Sequence, residues 1–388
     1  MRQLQLPLRR LGPHPVADFT RRYWQRRPLC VRNAIAGFAS PISRAQLFSL
    51  ARSAQVESRL VSAFSGVWKL RHGPVVRLPP LRRAGWTLLV QGVDLHDAAI
   101  AALAARLGFL PAARFDDVMV SYASDGGGVG PHVDQYDVFL LQAQGRRRWR
   151  IAEHFDARLV EGLPLRVLAN FVHEQEFVLE PGDLLYLPPG VAHEGVALGE
   201  SITISIGFRL PVVQELAESW YERQARAAPQ EQRLPDATRA PSRTPARLPE
   251  ELQRAALHQL RSLVPKRADV RDTLLEHLTE PKPTVVFDPP RPALVLARFI
   301  RAAKRRGLAL DLRTRMLYEG AAIGINGELF TAAADERAIL WRLANSSVLL
   351  PGALSISPES HSGALFALLH SWYRFGWIHL GRDQGIDT

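Results

Sequence analysis

The chain of 388 residues has a single cysteine, Cys30, and three methionines. One thiol cannot close an intrachain disulfide, and it excludes CxxC zinc ribbons and thiolate-held clusters. Any metal must therefore rest on His, Asp or Glu. Long apolar runs are missing too, since no uninterrupted stretch approaches the roughly 18 residues of a membrane span. The N-terminus, MRQLQLPLRRLGPHPVADF, lacks an apolar core followed by a small-residue cleavage site, so a soluble cytoplasmic protein is expected. Phosphate-loop patterns are absent as well. The run Gly126–Gly127–Gly128 is followed by neither Gly-Lys-Ser/Thr nor a helical pattern. It is expected to be a mobile loop beside a binding mouth, where a substrate backbone approaches closely.

Acidic residues are scarce at the start of the chain. Residues 1–100 hold 16 Lys/Arg against 4 Asp/Glu, whereas residues 101–200 hold 8 against 14. The net charge of +11 thus lies outside the middle segment. A negative middle between positive ends suits a basic peptide or protein substrate, because clustered carboxylates steer a cation towards them.

The length suits two or three domains. Residues 15–110 mix helical segments such as Ser43 to Arg52 with extended ones such as Trp86 to Gln91. From Asp117 to Arg209 the pattern changes to short β-branched and aromatic runs cut by Gly and Pro: DVMVSYA, HVDQYDVFLLQ, RRWRIA, EFVLE, DLLYLP and SITISIGF. Such punctuation predicts a double-sheet roll of the cupin type. Val213 to Ala227 reads as an amphipathic helix, APQEQRLPDATRAPSRTPARLPEE as an exposed linker, and helical periodicity returns between Leu252 and Leu278. PKPTVVFDPPRP marks a second boundary. Beyond about residue 290 the pattern predicts a helix, two short strands hinged near Gly324–Gly327, and further helices, a small α+β domain.

His132 and Asp134 read as residues of one strand, on the same face and about 7 Å apart along it. His193, after the turn LPPG, supplies a third ligand. Two His and one carboxylate leave open positions on an octahedral Fe(II), enough for a chelating 2-oxo acid and O₂. A second H-x-D, His154–Phe155–Asp156, follows the end of a strand and reads as a chance match. In GRRRWR, strand parity puts Arg147, Trp149 and Ile151 on one face and Arg146, Arg148 and Arg150 on the other. A face carrying Trp and Ile is the interior one. Arg147 is therefore an inward cation whose planar fork suits the distal carboxylate of an oxo acid.

The blocks GGGVGPHVDQYDVFLLQAQGRRRWRIA, VLEPGDLLYLPPGVAHEG, YWQRRPLCVRNAI, SRLVSAFSGVWKLRHGP and SITISIGFRLP resemble the bacterial JmjC-type ribosomal oxygenases, the arginine 3-hydroxylases of the sixteenth protein of the large ribosomal subunit. The likeness is dense over about residues 18–222, with a departure at Ala123 and Asp125, where the family pattern leads one to expect serine and proline. It implies a mainly β fold with α: a JmjC/cupin double-stranded β-helix over residues 1–210 (strand core about 115–209), a helical dimerisation region with linker over 211–284, and a winged-helix-like α+β domain over 285–388. It also implies a homodimer, Fe(II) on His132, Asp134 and His193, and 2-oxoglutarate and O₂ as cosubstrates. Arg147 would take the 2-oxoglutarate carboxylate, with Ser121 and Thr203 bordering the same pocket.

The resemblance further implies hydroxylation of an arginine at C3 in the ribosomal protein. The acidic middle segment offers Asp125 and Asp137 as acceptors for the substrate guanidinium, which carries five donors. Two other readings stand beside this one: a histidyl hydroxylase of another ribosomal protein, and a non-catalytic cupin-fold protein attached to ribosomal RNA through its basic N-terminal region. Arg147 speaks against the second, because a scaffold has no need of an inward cation beside a metal strand. Whether the C-terminal domain touches nucleic acid is left open.

Overall fold

The short β-branched runs become strands, and in chain order the first part of the molecule consists of β1 (Arg10–Leu11), β2 (His14–Pro15), α1 (Val16–Arg22), β3 (Leu29–Val31), α2 (Arg44–Leu50), β4 (Ser58–Phe64), β5 (Val67–His72), β6 (Trp86–Val90), α3 (Ala98–Ala105), β7 (Phe115–Ala123), β8 (His132–Val133), β9 (Asp137–Ala152), β10 (Gln175–Leu179), β11 (Leu184–Leu187) and β12 (Ala192–Phe208). The computed structural model describes residues 6–64, 67–227, 233–234, 246–354 and 362–381. Most of the linker from Pro229 to Pro245 lies outside the described residues. What is described falls into two units, one within 1–210, 281–314 and 345–388, the other within 211–280 and 315–344.

The roll is one sheet in the order β3-β11-β9-β12-β7-β6-β4-β5, with β10 added on β9 and β8 on β12. β9 and β12 form its spine, because each is long enough to serve two layers. His193 pairs with Ile151 and Ala197 with Arg147, then the register shifts between Leu198 and Ile202, and Thr203 pairs with Gln142. Gly145, at φ 63°, occupies this corner, where an added Cβ would lie 1.9 Å from the Glu200 carbonyl oxygen. Alternation then sorts the side chains. Val118, Val120, Tyr122, Ile202, Ile204 and Ile206 join the core that includes Phe19, Leu47 and Ile100 of the helices. Val138, Leu140, Trp149, Ile151, Leu179, Leu185 and Leu187 fill the interior of the roll. Arg147 lies on that interior face and is 3% exposed, as parity predicts.

The glycine run is not a loose loop at the mouth. The Gly126 N–H donates to Ala197 O and the Ala197 N–H to Gly127 O, and Cβ atoms on Gly127 and Gly128 would sit 2.4 Å from Trp86 O and 2.6 Å from Gly195 O. Its glycines allow backbones to pack against one another. Absence of side chains signalled close approach correctly, but the approaching partner is the protein itself.

The remaining elements are α4 (Val213–Ala227), α5 (Glu250–Ser262), α6 (Arg267–Thr279), α7 (Leu296–Arg306), β13 (Leu308–Leu310), β14 (Met316–Glu319), β15 (Ala322–Ile325), β16 (Glu328–Thr331), α8 (Arg337–Ser346), β17 (Val348–Leu349), α9 (Ser362–Phe375) and β18 (Ile378–Leu380). Helix α4 spans the residues expected of it. The C-terminal part has more strands than the sequence pattern suggests: β14-β15-β16 form one sheet and β17-β13-β18 another. Strands of two to four residues are too short for alternation to register. Nor do residues 285–388 stand as one unit. Residues 315–344 group with 211–280, because Gly324 brings β15 against α6, where an added Cβ would lie 2.7 Å from Leu275 O. The N-terminal stretch of the first unit ends at Leu210.

Candidate metal centre

His132, Asp134 and His193 come together, each offering one ligand atom, with all of these within 4.8 Å of one another. The Nε2 atoms of His132 and His193 lie 3.9 and 3.6 Å from Asp134 Oδ2. The two histidines are cross-strand partners between β8 and β12, with ring centroids 4.3 Å apart. One detail differs from expectation. The stretch HVDQYDVFLLQ is not a single strand, since β8 ends at Val133 and β9 begins at Asp137. Asp134 therefore turns towards the histidines from just past a strand end.

Each imidazole is oriented from behind. His132 Nδ1 lies 3.0 Å from Gly130 O and His193 Nδ1 lies 3.1 Å from Val191 O, so both Nδ1–H groups donate to carbonyls and both Nε2 lone pairs face the centre. Burial, reinforced by the neighbouring His132, pushes the His193 imidazolium down to about 4. That keeps the ligand neutral at pH 7. Two imidazoles with orienting carbonyls and one monodentate carboxylate suit a divalent first-row ion such as Fe(II) with open positions, and the residues present fit that group.

Arg147 supplies the second half of the site. Its Nη1 donates to Ser121 Oγ at 3.3 Å and its Nη2 to Gly195 O at 3.1 Å, while Nε has no partner among the described residues. Burial alone pulls its guanidinium down to about 10, with no carboxylate offsetting the loss of water. A fully buried cation with no counter-ion among the described residues calls for an anionic ligand. Ser121 pairs with Thr203 across β7 and β12. The Thr203 hydroxyl donates to Gln142 Oε1 at 3.0 Å, and Gln142 Nε2 in turn donates to Gln144 O at 2.8 Å. Ser121 thus touches the cation directly, and Thr203 belongs to the adjoining polar wall.

The two acids chosen for the substrate guanidinium are corrected by the geometry. Asp125 accepts the Gly199 N–H at 2.8 Å, six residues beyond His193 on β12, which is roughly 20 Å at the usual strand rise. Asp137 is 0% exposed and fully engaged: Tyr186 Oη donates to its Oδ1 at 2.6 Å, and Gln25 Nε2 and Arg114 Nη2 both donate to Oδ2 at 3.0 Å. It anchors the fold instead. Asp137→Ala is expected to cost about 3–5 kcal/mol, because it strands Arg114 and Tyr186 without a partner. A chemical-denaturation midpoint that moved by less than the equivalent of about 1 kcal/mol would contradict this.

Another acid, Asp117, shares a face with Met119 and Ser121 by parity on β7. Sequence parity, used for Arg147, would have found it. Gln91 Nε2 and Lys282 Nζ both reach Asp117 Oδ2 at 2.7 Å. Tyr136, two residues past Asp134, joins it to the metal centre: burial, then the charges of Asp134 and Asp117, push its phenol well above the usual range. Of the other histidines, His154 is exposed on Glu174 at 3.0 Å, apart from the site as expected.

The model for the JmjC domain matches residues 102–216 and that for the ROXA-like winged helix residues 255–379, while an AraC-like ligand-binding model matches 171–278. The roll and its centre therefore define a JmjC-domain protein. Over 206 residues the chain is 43% identical to the ribosomal protein uL16 3-hydroxylase of Escherichia coli K12, covering 51% of this chain and 54% of that protein. It is 29% identical over 203 residues to ribosomal oxygenase 1 of Homo sapiens, covering 47% of this chain and 31% of that protein. The chain thus spans about half the length of the E. coli relative it matches. By structure the likeness is nearly complete: E. coli YcfD, described as a ribosomal oxygenase, superposes with a TM-score of 0.80 at 30% identity, covering 96% of this chain and 99% of that one. A second YcfD structure gives 0.83 at 32%, covering 94% and 97%. A further one, in complex with cobalt and 2-oxoglutarate, gives 0.80 at 31%, again covering 94% and 97%. The chain belongs to the JmjC-type ribosomal oxygenases.

Proposed function

We propose that the protein is an Fe(II)- and 2-oxoglutarate-dependent hydroxylase of an arginine at C3 in the large-subunit ribosomal protein uL16. The observation that carries the reading is the buried Arg147, without a carboxylate partner among the described residues, on the interior face beside the metal ligands. His132, Asp134 and His193 hold the iron and Arg147, with Ser121, holds the distal carboxylate of 2-oxoglutarate. When bound, iron with this cosubstrate and O₂ supplies one oxygen atom for an unactivated C–H bond, releasing succinate and CO₂. The apolar interior around Val138, Leu140 and Leu187 excludes water from that chemistry.

Asp117 is the proposed guanidinium acceptor, since both of its recorded contacts fall on Oδ2 and leave Oδ1 for a further donor. Its Oδ1 suits a guanidinium, which carries five donors and would share the carboxylate with the Lys282 ammonium on Oδ2. Asp117→Asn is expected to raise KM for an arginine peptide about tenfold while kcat changes little. An unchanged KM would remove Asp117 from the substrate site. The overall reading is tested by incubating uL16 with the enzyme, iron and 2-oxoglutarate and reading its mass. A gain of one oxygen on an arginine is expected. Modification of a histidine, or of nothing, would overturn it.

We further propose a cytoplasmic homodimer. No helix of the described residues is long and apolar enough to cross a membrane. Helix α5 carries Leu252, Leu257 and Leu260 at exposures of 36, 47 and 63%, a stripe suited to a second copy. Leu252→Glu combined with Leu260→Glu should convert a dimer into a monomer in light scattering after gel filtration. A doubly substituted protein that kept the mass of two chains would sink the α5 interface.

A further inference from the structure

We propose that Trp149 is a second donor to the bound oxo acid, its indole N–H reaching a carboxylate or keto oxygen from between Arg147 and the metal ligand His193. The proposal rests on Arg147 being the anchor for that cosubstrate. Trp149 is 5% exposed and lies on the interior face of β9. Its ring lies 5.1 Å from Arg147 Cζ and 6.0 Å from the His193 ring, so it spans the two functional halves of the site. Its Nε1 has no hydrogen-bond partner among the described residues. Trp86, Trp220 and Trp372 share that condition, so an orphaned indole alone distinguishes nothing. Trp86 even has a second orphaned donor, Tyr122 Oη, on the ring beside it, so what sets Trp149 apart is its place between the buried Arg147 and the metal ligand His193. Beside a metal centre and a buried cation, the unmet donors Arg147 Nε and Trp149 Nε1 suit a ligand rich in acceptors.

Gly195 fixes this arrangement. A Cβ there would lie 2.7 Å from Arg147 Nε and 2.7 Å from both Cη2 and Cζ3 of Trp149. The benzo end of the indole therefore abuts Gly195, and the N–H sits at the other end of the ring. The same glycine accepts Arg147 Nη2 through its carbonyl. Trp149 and Arg147 are thus positioned against one backbone atom group, two residues from His193.

The test uses the full chain loaded with Mn(II), titrated with 2-oxoglutarate by calorimetry, so that turnover plays no part. Trp149→Phe keeps the ring and removes the donor, and it is expected to raise Kd for 2-oxoglutarate about 10- to 100-fold while Kd for Mn(II) stays within twofold. A 2-oxoglutarate Kd within twofold of wild type would overturn the proposal. Should the variant fold poorly, wild-type protein labelled with ¹⁵N-indole and loaded with Zn(II) gives a second readout. One of the eight tryptophan signals should move downfield and exchange more slowly when 2-oxoglutarate is added, and an unchanged spectrum would overturn the proposal. Arg147→Met in the same titration separates the two readings. If it leaves Kd unchanged the cosubstrate assignment itself fails, whereas a weakened Arg147→Met beside an unaffected Trp149→Phe refutes Trp149 alone.

Discussion

Asp134→Ala is expected to abolish metal binding and hydroxylation together while leaving the metal-free fold intact. Both histidine Nε2 atoms converge on the same carboxylate oxygen, at 3.6 and 3.9 Å, so its removal takes away the sole anion of the donor set. Two neutral imidazoles hold a hard divalent ion poorly, and loss of a direct ligand should exceed the roughly 10- to 100-fold cost of losing an outer partner. Stability should change little, because the Asp134 side chain is 24% exposed and does not belong to the buried network around Asp137. The check is a metal titration and a melting curve on the same preparation, with succinate formation followed by NMR. Turnover within tenfold of wild type would mean that the ion sits elsewhere. A collapsed melting temperature would mean that Asp134 serves the fold.

The site was legible where a strand's two-residue period could be applied to a run of unlike residues. GRRRWR mixes Arg with Trp, so parity had something to sort, and Arg147 emerged as the inward cation. Reading DVMVSYA the same way would have delivered Asp117 alongside Ser121. The acids were chosen instead by charge density, which reports sign without direction, and it selected Asp137, an anchor for Tyr186 and Arg114. The glycine run shows a related limit. Its composition announces close approach, but only the fold shows that Trp86 O and Gly195 O are what approach. The interruption of the strand at Asp134 was invisible because HVDQYDVFLLQ holds no Gly or Pro to mark it. In the C-terminal region the strands are so short that local pattern carries almost no signal, and β14, β15 and β16 are stabilised by packing against α6.

Arg147→Met should move two measurements in opposite directions. Affinity for 2-oxoglutarate is expected to fall roughly 30- to 3000-fold, the range for removing one partner of a buried, hydrogen-bonded charge pair. Arg147→Lys should recover only part of this, since an ammonium cannot offer the planar two-donor fork. Stability of the metal-free protein should instead rise, because the wild type holds a desolvated guanidinium with no carboxylate partner and methionine fills similar space without that charge. A purely structural arginine predicts the reverse, a lower melting temperature with 2-oxoglutarate binding untouched. The buried charge is tolerated in the resting fold because Ser121 Oγ and Gly195 O satisfy two of its donors. On the proposed reading the oxo acid would meet the unpartnered Nε and supply the counter-charge, so ligand affinity and fold stability are expected to oppose each other at this one residue.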